Sequence, residues 1–306
     1  MRFRTLHTTR FSYDLPAYES HNQIRLKPLN SDCQRVLQFR LKSDPPASVL
    51  EYPDSFGNTV HSISVHPPHN ELAIVVESLV ERLPEPQAQF PRVRFSEYLT
   101  DDEARSREQY EFLHASQYVP FSERLKKFFW SMRPDPREEV AQFVRRTVGY
   151  IRDQFHYEKG VTTAYSNLDD ILTKGCGVCQ DFAHLTIGIL RLAGVPARYV
   201  SGYLAPEPVQ TRKEPVSEQA SHAWVEALLP NAGWVGFDPT HRGRVTERHI
   251  RVAVGRDYAD VPPMRGVYRS AGKRQSMTVE LHINESTETD ILLSEQIQQQ
   301  SQQQQQ

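Results

Sequence analysis

The sequence predicts an α+β protein in which a β-rich N-terminal unit precedes a unit built on an apolar helix and antiparallel strands. Three observations carry this reading. Residues 1 to about 85 alternate large apolar and polar side chains with the period of half-buried strands. Beyond Pro134 the apolar residues recur at helical spacing. After Gly194-Val-Pro, strand-like runs return. A chain of 306 residues holds about two domains of ordinary size.

In order, Arg2–Tyr13, Gln23–Leu29 and Arg35–Lys42 alternate as strands, Asp54-Ser-Phe-Gly-Asn reads as a turn, and Thr59–Val65 and Glu71–Ser78 follow as further strands. Strands so spaced predict an antiparallel β-sandwich over residues 1–88. His7, His21, His61 and His66 show no metal-ligand spacing there and are expected on the surface. Residues 89–133, Pro-rich and then acidic, read as a connecting segment with some helix. Val140, Phe143, Val144, Val148, Ile151 and Phe155 form one helical stripe after Pro134-Asp-Pro. A shorter helix is expected from an Asn167 N-cap to a stop near Gly175. The next begins at about Cys179, and its stripe of Phe182, Leu185, Ile189 and Leu192 marks it as central to a core. Strands are expected at Ala197–Leu204, Ser221–Leu228 and Gly233–Asp238, and more β structure near Val252 and over Ser276–Ile283. Residues 134–285 thus form the second unit, and the Gln-rich stretch 286–306 is expected to be disordered.

Composition narrows the function classes. With 36 Lys and Arg against 38 Asp and Glu, the net charge is −2, so neither nucleic acid nor a membrane is an expected partner. The first residues hold no apolar leader core, and no stretch approaches the ~20 apolar residues of a membrane span. Three cysteines, Cys33, Cys176 and Cys179, exclude a disulfide scaffold and suit a reducing compartment, so a cytoplasmic location is expected.

Chemistry concentrates around Cys179. A thiol becomes a strong nucleophile as thiolate, which a helix N-terminus and a neighbouring imidazolium favour. His222, Trp224 and Glu226 share one strand face, as do Trp234, Gly236 and Asp238 on the next. A hairpin folding at Pro230-Asn231 sets His222 directly opposite Asp238, provided the register is not slipped by one residue. The expected roles are Cys179 as nucleophile, His222 as general base and then acid, and Asp238 as the group fixing the His222 tautomer.

The motifs Gly177-Val-Cys-Gln-Asp-Phe-Ala-His-Leu, Ser221-His-Ala-Trp-Val-Glu and Trp234-Val-Gly-Phe-Asp-Pro-Thr, in that order, resemble the transglutaminase-like core of the papain-like cysteine enzymes. The N-terminal β region and Gly255-Arg-Asp-Tyr-Ala-Asp-Val-Pro-Pro-Met-Arg-Gly extend the resemblance, over about residues 1–285, to bacterial transglutaminase-like proteins with a dedicated N-terminal domain. The resemblance implies a nucleophile helix packed on an antiparallel sheet, the triad Cys179, His222 and Asp238, and acyl transfer through a thioester. It also implies a peptide or amide substrate, with hydrolysis favoured over crosslinking, and suggests a functional link to an amide-ligase system. No cofactor and no metal are expected. Gln180, Asp181, Trp224 and Tyr165 are the candidate pocket residues, with Tyr199, Tyr203 and Trp234 as further candidates.

Other readings weigh less. Cys176-Gly-Val-Cys179 is a C-x-x-C pair, but no strand precedes it as a thioredoxin-like site requires. Zinc lacks a second ligand pair, since Cys176, Cys179 and His184 alone make a poor site. A regulatory Cys176–Cys179 disulfide rests on spacing alone. His184 is expected to be a packed structural residue. A non-catalytic peptide-binding module remains the competing class.

Overall fold

The computed structural model describes residues 1–84, 90, 92–98, 107–160, 167–207, 221–241 and 243–286. Tyr165 and most of the polar loop before Ser221 lie outside the described residues. Among the described residues no helix is long and apolar enough to cross a membrane.

The N-terminal unit is built from β1 (Arg2–Ile24), β2 (Gln34–Asp44), β3 (Ser48–Pro53), β4 (Thr59–Val65) and β5 (His69–Arg82). They pair in the order β2-β5-β1-β4-β3. The long β1 changes neighbours along its length: Arg2–Ser12 pairs with β5, and Ser20–Ile24 with β4. Ile24, Ile63, Val65, Leu72, Ile74 and Val76, from both parts of this sheet, share one core. The turn between β3 and β4 forms as expected, with Asp54 Oδ1 accepting the backbone N–H groups of Phe56 and Asn58, both at 3.0 Å. Two of the four histidines expected on the surface are inside. His7 is 3% exposed and hydrogen-bonded to the Tyr203 hydroxyl at 3.0 Å, while His61 is 3% exposed and bonds Glu51. Each sits at an inward position of its strand, which alternation reveals only once the buried face is known.

The helical part follows with α1 (Phe95–Tyr98), α2 (Arg107–Tyr110), α3 (Glu123–Met132) and α4 (Val140–Gln154), then β6 (His156–Tyr157), α5 (Leu168–Lys174), β7 (Cys176–Gly177) and α6 (Cys179–Leu192). Asn167 caps α5 by accepting the N–H of Asp170 at 2.9 Å, and Gly175 closes it in the left-handed region at φ 70°. Helix α6 is buried continuously from Asp181 to Arg191. It is followed by β8 (Ala197–Leu204), β9 (Ser221–Leu229), β10 (Gly233–Phe237) and β11 (His249–Gly255), paired in the order β10-β9-β8-β11. One face of this sheet, through Tyr199, Ala223, Val225 and Ala227, shares a core with Phe182, Leu185 and Ile189 of α6 and with Phe143, Val144 and Val148 of α4. Each fully buried Leu, Ile or Phe stabilises this packing by roughly 1.5–3 kcal/mol.

Strand β13 (Gln275–Glu285), expected as β structure within the second unit, pairs instead with β1, and so does β12 (Met264–Ser270), for which no strand is expected; the N-terminal sheet has seven strands among the described residues. The chain therefore returns to its starting sheet after completing the helix-and-sheet unit. Phe3, Val80, Leu281 and Ile283 of that sheet pack with Tyr203, Ile250 and Val252, joining the units through an apolar contact. Polar side chains extend the junction. Gln34 accepts the N–H of Arg251 at 2.9 Å and donates to its carbonyl at 2.7 Å. Asn58 makes the same reciprocal pair with Val254, at 2.7 and 2.8 Å. The outer edge of β11 is thereby covered by side-chain amides.

Candidate active site

Cys179 is the first residue of α6 and is half-buried. The preceding turn has a specific construction. The Asp181 carboxylate, 1% exposed, folds back to accept the Val178 N–H at 2.9 Å. This is possible because residue 177 is glycine: a Cβ there would lie 2.8 Å from Asp181 Oδ2. Residues 156–157 pair in parallel with 176–177, which places Tyr157 beside this turn. Burial and the nearby Cys179 and Asp181 raise the Tyr157 hydroxyl pKa. The first turn of α6 thus presents backbone N–H groups and the positive end of the helix dipole around the thiol.

His222 begins the inner part of β9 and is 7% exposed. Its Nε2 donates to Asp238 Oδ2 at 2.8 Å, which leaves Nδ1 for the Cys179 side chain, also hydrogen-bonded to this imidazole. Burial opposes charge on the ring, but the hydrogen bonds and charges of Asp238 and Cys179 outweigh it and raise the His222 pKa to about 10. Asp238 is fully buried. Besides His222, its Oδ2 accepts Nε2 of His249 at 3.1 Å, and its Oδ1 accepts the backbone N–H groups of Thr240 at 2.8 Å and His241 at 3.2 Å. Burial would raise this carboxyl, yet its imidazole partners hold it far below the usual carboxylate range.

The sequence-expected trio therefore converges, with one correction to how it does so. The β9–β10 hairpin turns over three residues, 230–232, and pairs Gly233 with Leu229 and Phe237 with Val225. This register is displaced by two from the one that would set His222 directly opposite Asp238. Asp238 follows the last residue of β10, and the contact runs diagonally across the hairpin end. An even displacement keeps both side chains on one face, so the meeting survives.

The pocket candidates separate. Gln180 is half-buried beside Cys179 in the first turn of α6. Asp181 serves the turn through its bond to Val178. Trp224 is 1% exposed and packs with Val200 and Val254, stacked on His222 at 6.0 Å between ring centroids and edge-on to His249 at 5.2 Å. It supports the imidazoles from below and forms no cleft wall. Gly202 makes room for it, because a Cβ there would lie 2.5 Å from the indole. Tyr199 and Tyr203 are each 2% exposed and are likewise core residues. Trp234 lies under the Arg198 guanidinium, 4.2 Å from the ring centre. His184, as expected, is a packed residue: its Nε2 accepts the Tyr258 N–H at 3.2 Å, and burial, with Arg191 nearby, lowers its pKa to about 3. All three cysteines are free thiols.

Three residues at or near the site carried no sequence expectation. They are Tyr157, His249 and His241, the last half-exposed with Nδ1 3.4 Å from Asp238 Oδ2. His241 follows Asp238 by three residues, which is a local signal. His249 arrives through the pairing of β11 with β8 and has none. His222, Asp238 and His241 also bring ligand-type atoms within 4.8 Å of one another, and these are the groups that already hydrogen-bond around the buried carboxylate.

Residues 132–239 match the family described as the transglutaminase-like superfamily, and residues 3–81 match the bacterial transglutaminase-like N-terminal region. An uncharacterized protein of Mycobacterium leprae is 36% identical over 276 residues, covering 89% of this chain and 94% of its own. The chain belongs to the transglutaminase-like superfamily. A second relative in this group, from Mycobacterium tuberculosis, is 31% identical over 292 residues, covering 92% of each chain. A protein-glutamine gamma-glutamyltransferase of Pseudomonas aeruginosa is 34% identical over 110 residues, covering 35% of this chain and 16% of that protein. The transglutaminase-like fold is shared along nearly the whole chain with a solved protein of Cytophaga hutchinsonii provisionally assigned as a cysteine protease. That match has a TM-score of 0.74 at 22% identity and covers 94% and 92% of the two chains.

Proposed function

We propose that this transglutaminase-like protein is a cysteine-dependent acyl-transfer enzyme that hydrolyses peptide or amide bonds through a thioester on Cys179. The observation that carries the reading is the single imidazole of His222, bonded to the half-buried thiol at a helix N-terminus and to a fully buried carboxylate 2.8 Å away. A raised His222 favours the thiolate–imidazolium pair. The thiolate of Cys179 attacks the substrate carbonyl carbon, and the resulting oxyanion faces the N–H groups at the start of α6. His222 then donates its Nδ1 proton to the leaving amine as the C–N bond breaks, giving the thioester. Water attacks next, with His222 taking its proton, and the C–S bond breaks to release the acid and restore the thiolate–imidazolium pair. Asp238 keeps the ring oriented throughout, with Nε2–H fixed toward itself.

Incubating the protein with peptide amides, with and without a primary amine, tests this. Ammonia release or chain cleavage, lost in Cys179→Ala, is the expected result. Incorporation of the amine without hydrolysis would move the assignment to a crosslinking enzyme, the activity named for the Pseudomonas relative. Slow and equal iodoacetamide labelling of Cys33, Cys176 and Cys179 would remove the enzyme reading altogether.

A further inference from the structure

We propose that His249 is a positioning residue of this site, a second imidazole locked in one tautomer that shares the Asp238 carboxylate with His222 and is held from the N-terminal sheet. The inference rests on the acyl-transfer reading. Its basis is hydrogen-bond direction. The backbone N–H of Thr246 points at His249 Nδ1 at 3.0 Å. A backbone N–H can only donate, so Nδ1 is an acceptor and carries no proton. The ring proton therefore sits on Nε2 and is donated to Asp238 Oδ2 at 3.1 Å, the same oxygen that accepts from His222. A proton on Nδ1 would face the Thr246 backbone N–H, the Thr246 hydroxyl at 3.2 Å being the other group within reach of that nitrogen.

Among the described residues, the charged and titratable groups facing His249 are Asp238, His222, with ring centroids 5.9 Å apart, Arg82 and, across the shared Asp238 Oδ2, His241, whose Nδ1 is 3.4 Å from that oxygen. Burial lowers the His249 pKa. Asp238 opposes that shift, whereas His222 and Arg82 reinforce it. Arg82 comes from β5 and is 2% exposed. Its guanidinium donates to the Thr246 carbonyl at 3.3 Å and to the Cys33 carbonyl at 2.9 Å. A chain of contacts thus runs from the N-terminal sheet through Arg82, the Thr246 turn, His249 and Asp238 to His222. It gives the unit without catalytic groups a part in placing them.

The chemical consequence is moderation. An Asp238 serving His222 without His249 has one fewer imidazole sharing its charge, so the His222 imidazolium becomes more stable and a poorer acid toward the leaving amine. His249→Phe keeps a ring and removes the donor, whereas His249→Gln retains a donor near the Nε2 position. Alkylation of Cys179 by iodoacetate, an anion that favours a thiolate paired with imidazolium, reads the His222 limb directly. In His249→Phe the alkaline limb is expected to move up by about one pH unit, and turnover to fall about tenfold at unchanged KM, the worth of one hydrogen bond to a charged group. His249→Gln is expected to restore both toward native values. Superimposable pH profiles for native protein and His249→Phe would overturn the inference. Absence of preferential Cys179 alkylation in the native protein would instead overturn the acyl-transfer reading. The native protein also gives a reading independent of any variant's folding. Nitrogen-15 imidazole spectra are expected to show His249 neutral and protonated at Nε2, and a proton on Nδ1 would refute the proposal.

Discussion

Replacing Asp238 by asparagine removes one charge and almost no volume, which isolates the work of the carboxylate. Its oxygens accept the imidazole N–H groups of His222 and His249 on Oδ2 and two backbone N–H groups on Oδ1, and the half-exposed His241 imidazole lies 3.4 Å from Oδ2 as well. An amide has a single accepting oxygen. With that oxygen toward the imidazoles, the NH2 group meets the N–H groups of Thr240 and His241; with the amide flipped, it meets those of His222 and His249. Either orientation opposes two buried donors, at roughly 1–3 kcal/mol each, so the folded state should lose about 2–6 kcal/mol. The effect on reactivity is separable. The His222 pKa stands at about 10 because bonds and charges from Asp238 and Cys179 outweigh burial. A return only to its ordinary value of 6.5 would leave about 3% of the ring as imidazolium near pH 8, some thirtyfold less than in the native protein. Alkylation of Cys179 by iodoacetate, followed by mass spectrometry with Cys33 and Cys176 as internal references, should slow by about that factor, while thermal unfolding reports the stability loss. A folded Asp238→Asn protein that alkylates at nearly the native rate would refute the argument that the carboxylate sets the charge on His222.

The structure supports three more predictions. Gly177→Ala puts a Cβ 2.8 Å from Asp181 Oδ2 and should break the bond to Val178, costing about 1–2 kcal/mol by denaturant titration and slowing Cys179 alkylation; a native midpoint and rate would count against that turn. Asn58→Ala leaves the buried N–H and C=O of Val254 without their partner and should destabilise the chain by roughly 2–6 kcal/mol, whereas an unchanged unfolding midpoint would show that the junction is not held there. Stability should also depend on pH through the central pair. The raised His222 contributes fully below its ordinary value of 6.5, and that contribution is lost as pH rises toward about 10. Asp238, held low, contributes above its ordinary 3.8, and its contribution is lost as pH falls through its folded-state value. Melting temperatures across this range should decline at the alkaline side, and His222→Gln should flatten that decline; an equal decline in both proteins would place its cause elsewhere.

The nucleophile helix is legible in the sequence because its signals are local: a glycine-bearing turn, Cys179 at the start, an apolar stripe and the Gly194-Val-Pro stop. The meeting of His222 with Asp238 is legible for a different reason. It depends on the parity of the hairpin register, and parity survives the displacement by two that the three-residue turn introduces. The return of β12 and β13 to β1 gives no such signal, because two antiparallel edges accept a strand from any distance along the chain and alternation does not name the partner. The burial of His7 and His61 is hidden by the same limit. Each belongs to a face whose orientation is fixed only when the second unit or the other part of the sheet packs on it.

His249 shows why that limit matters for chemistry. Strand β11 is an end strand of its sheet, held on one side by β8 and on the other by the amides of Gln34 and Asn58 at Arg251 and Val254. Those amides can satisfy both backbone groups of their targets in one register alone. A slip of one residue would shift β11 by about 3.4 Å and turn its side chains to the opposite face. His249 would then leave Asp238, and the set of donors around the buried carboxylate would lose a member. The N-terminal sheet, which holds no candidate catalytic group, therefore constrains the site through strand register. The constraint is invisible to motif reading because Gln34, Asn58 and Arg82 lie far from Cys179 in sequence and act on a strand that follows the whole triad.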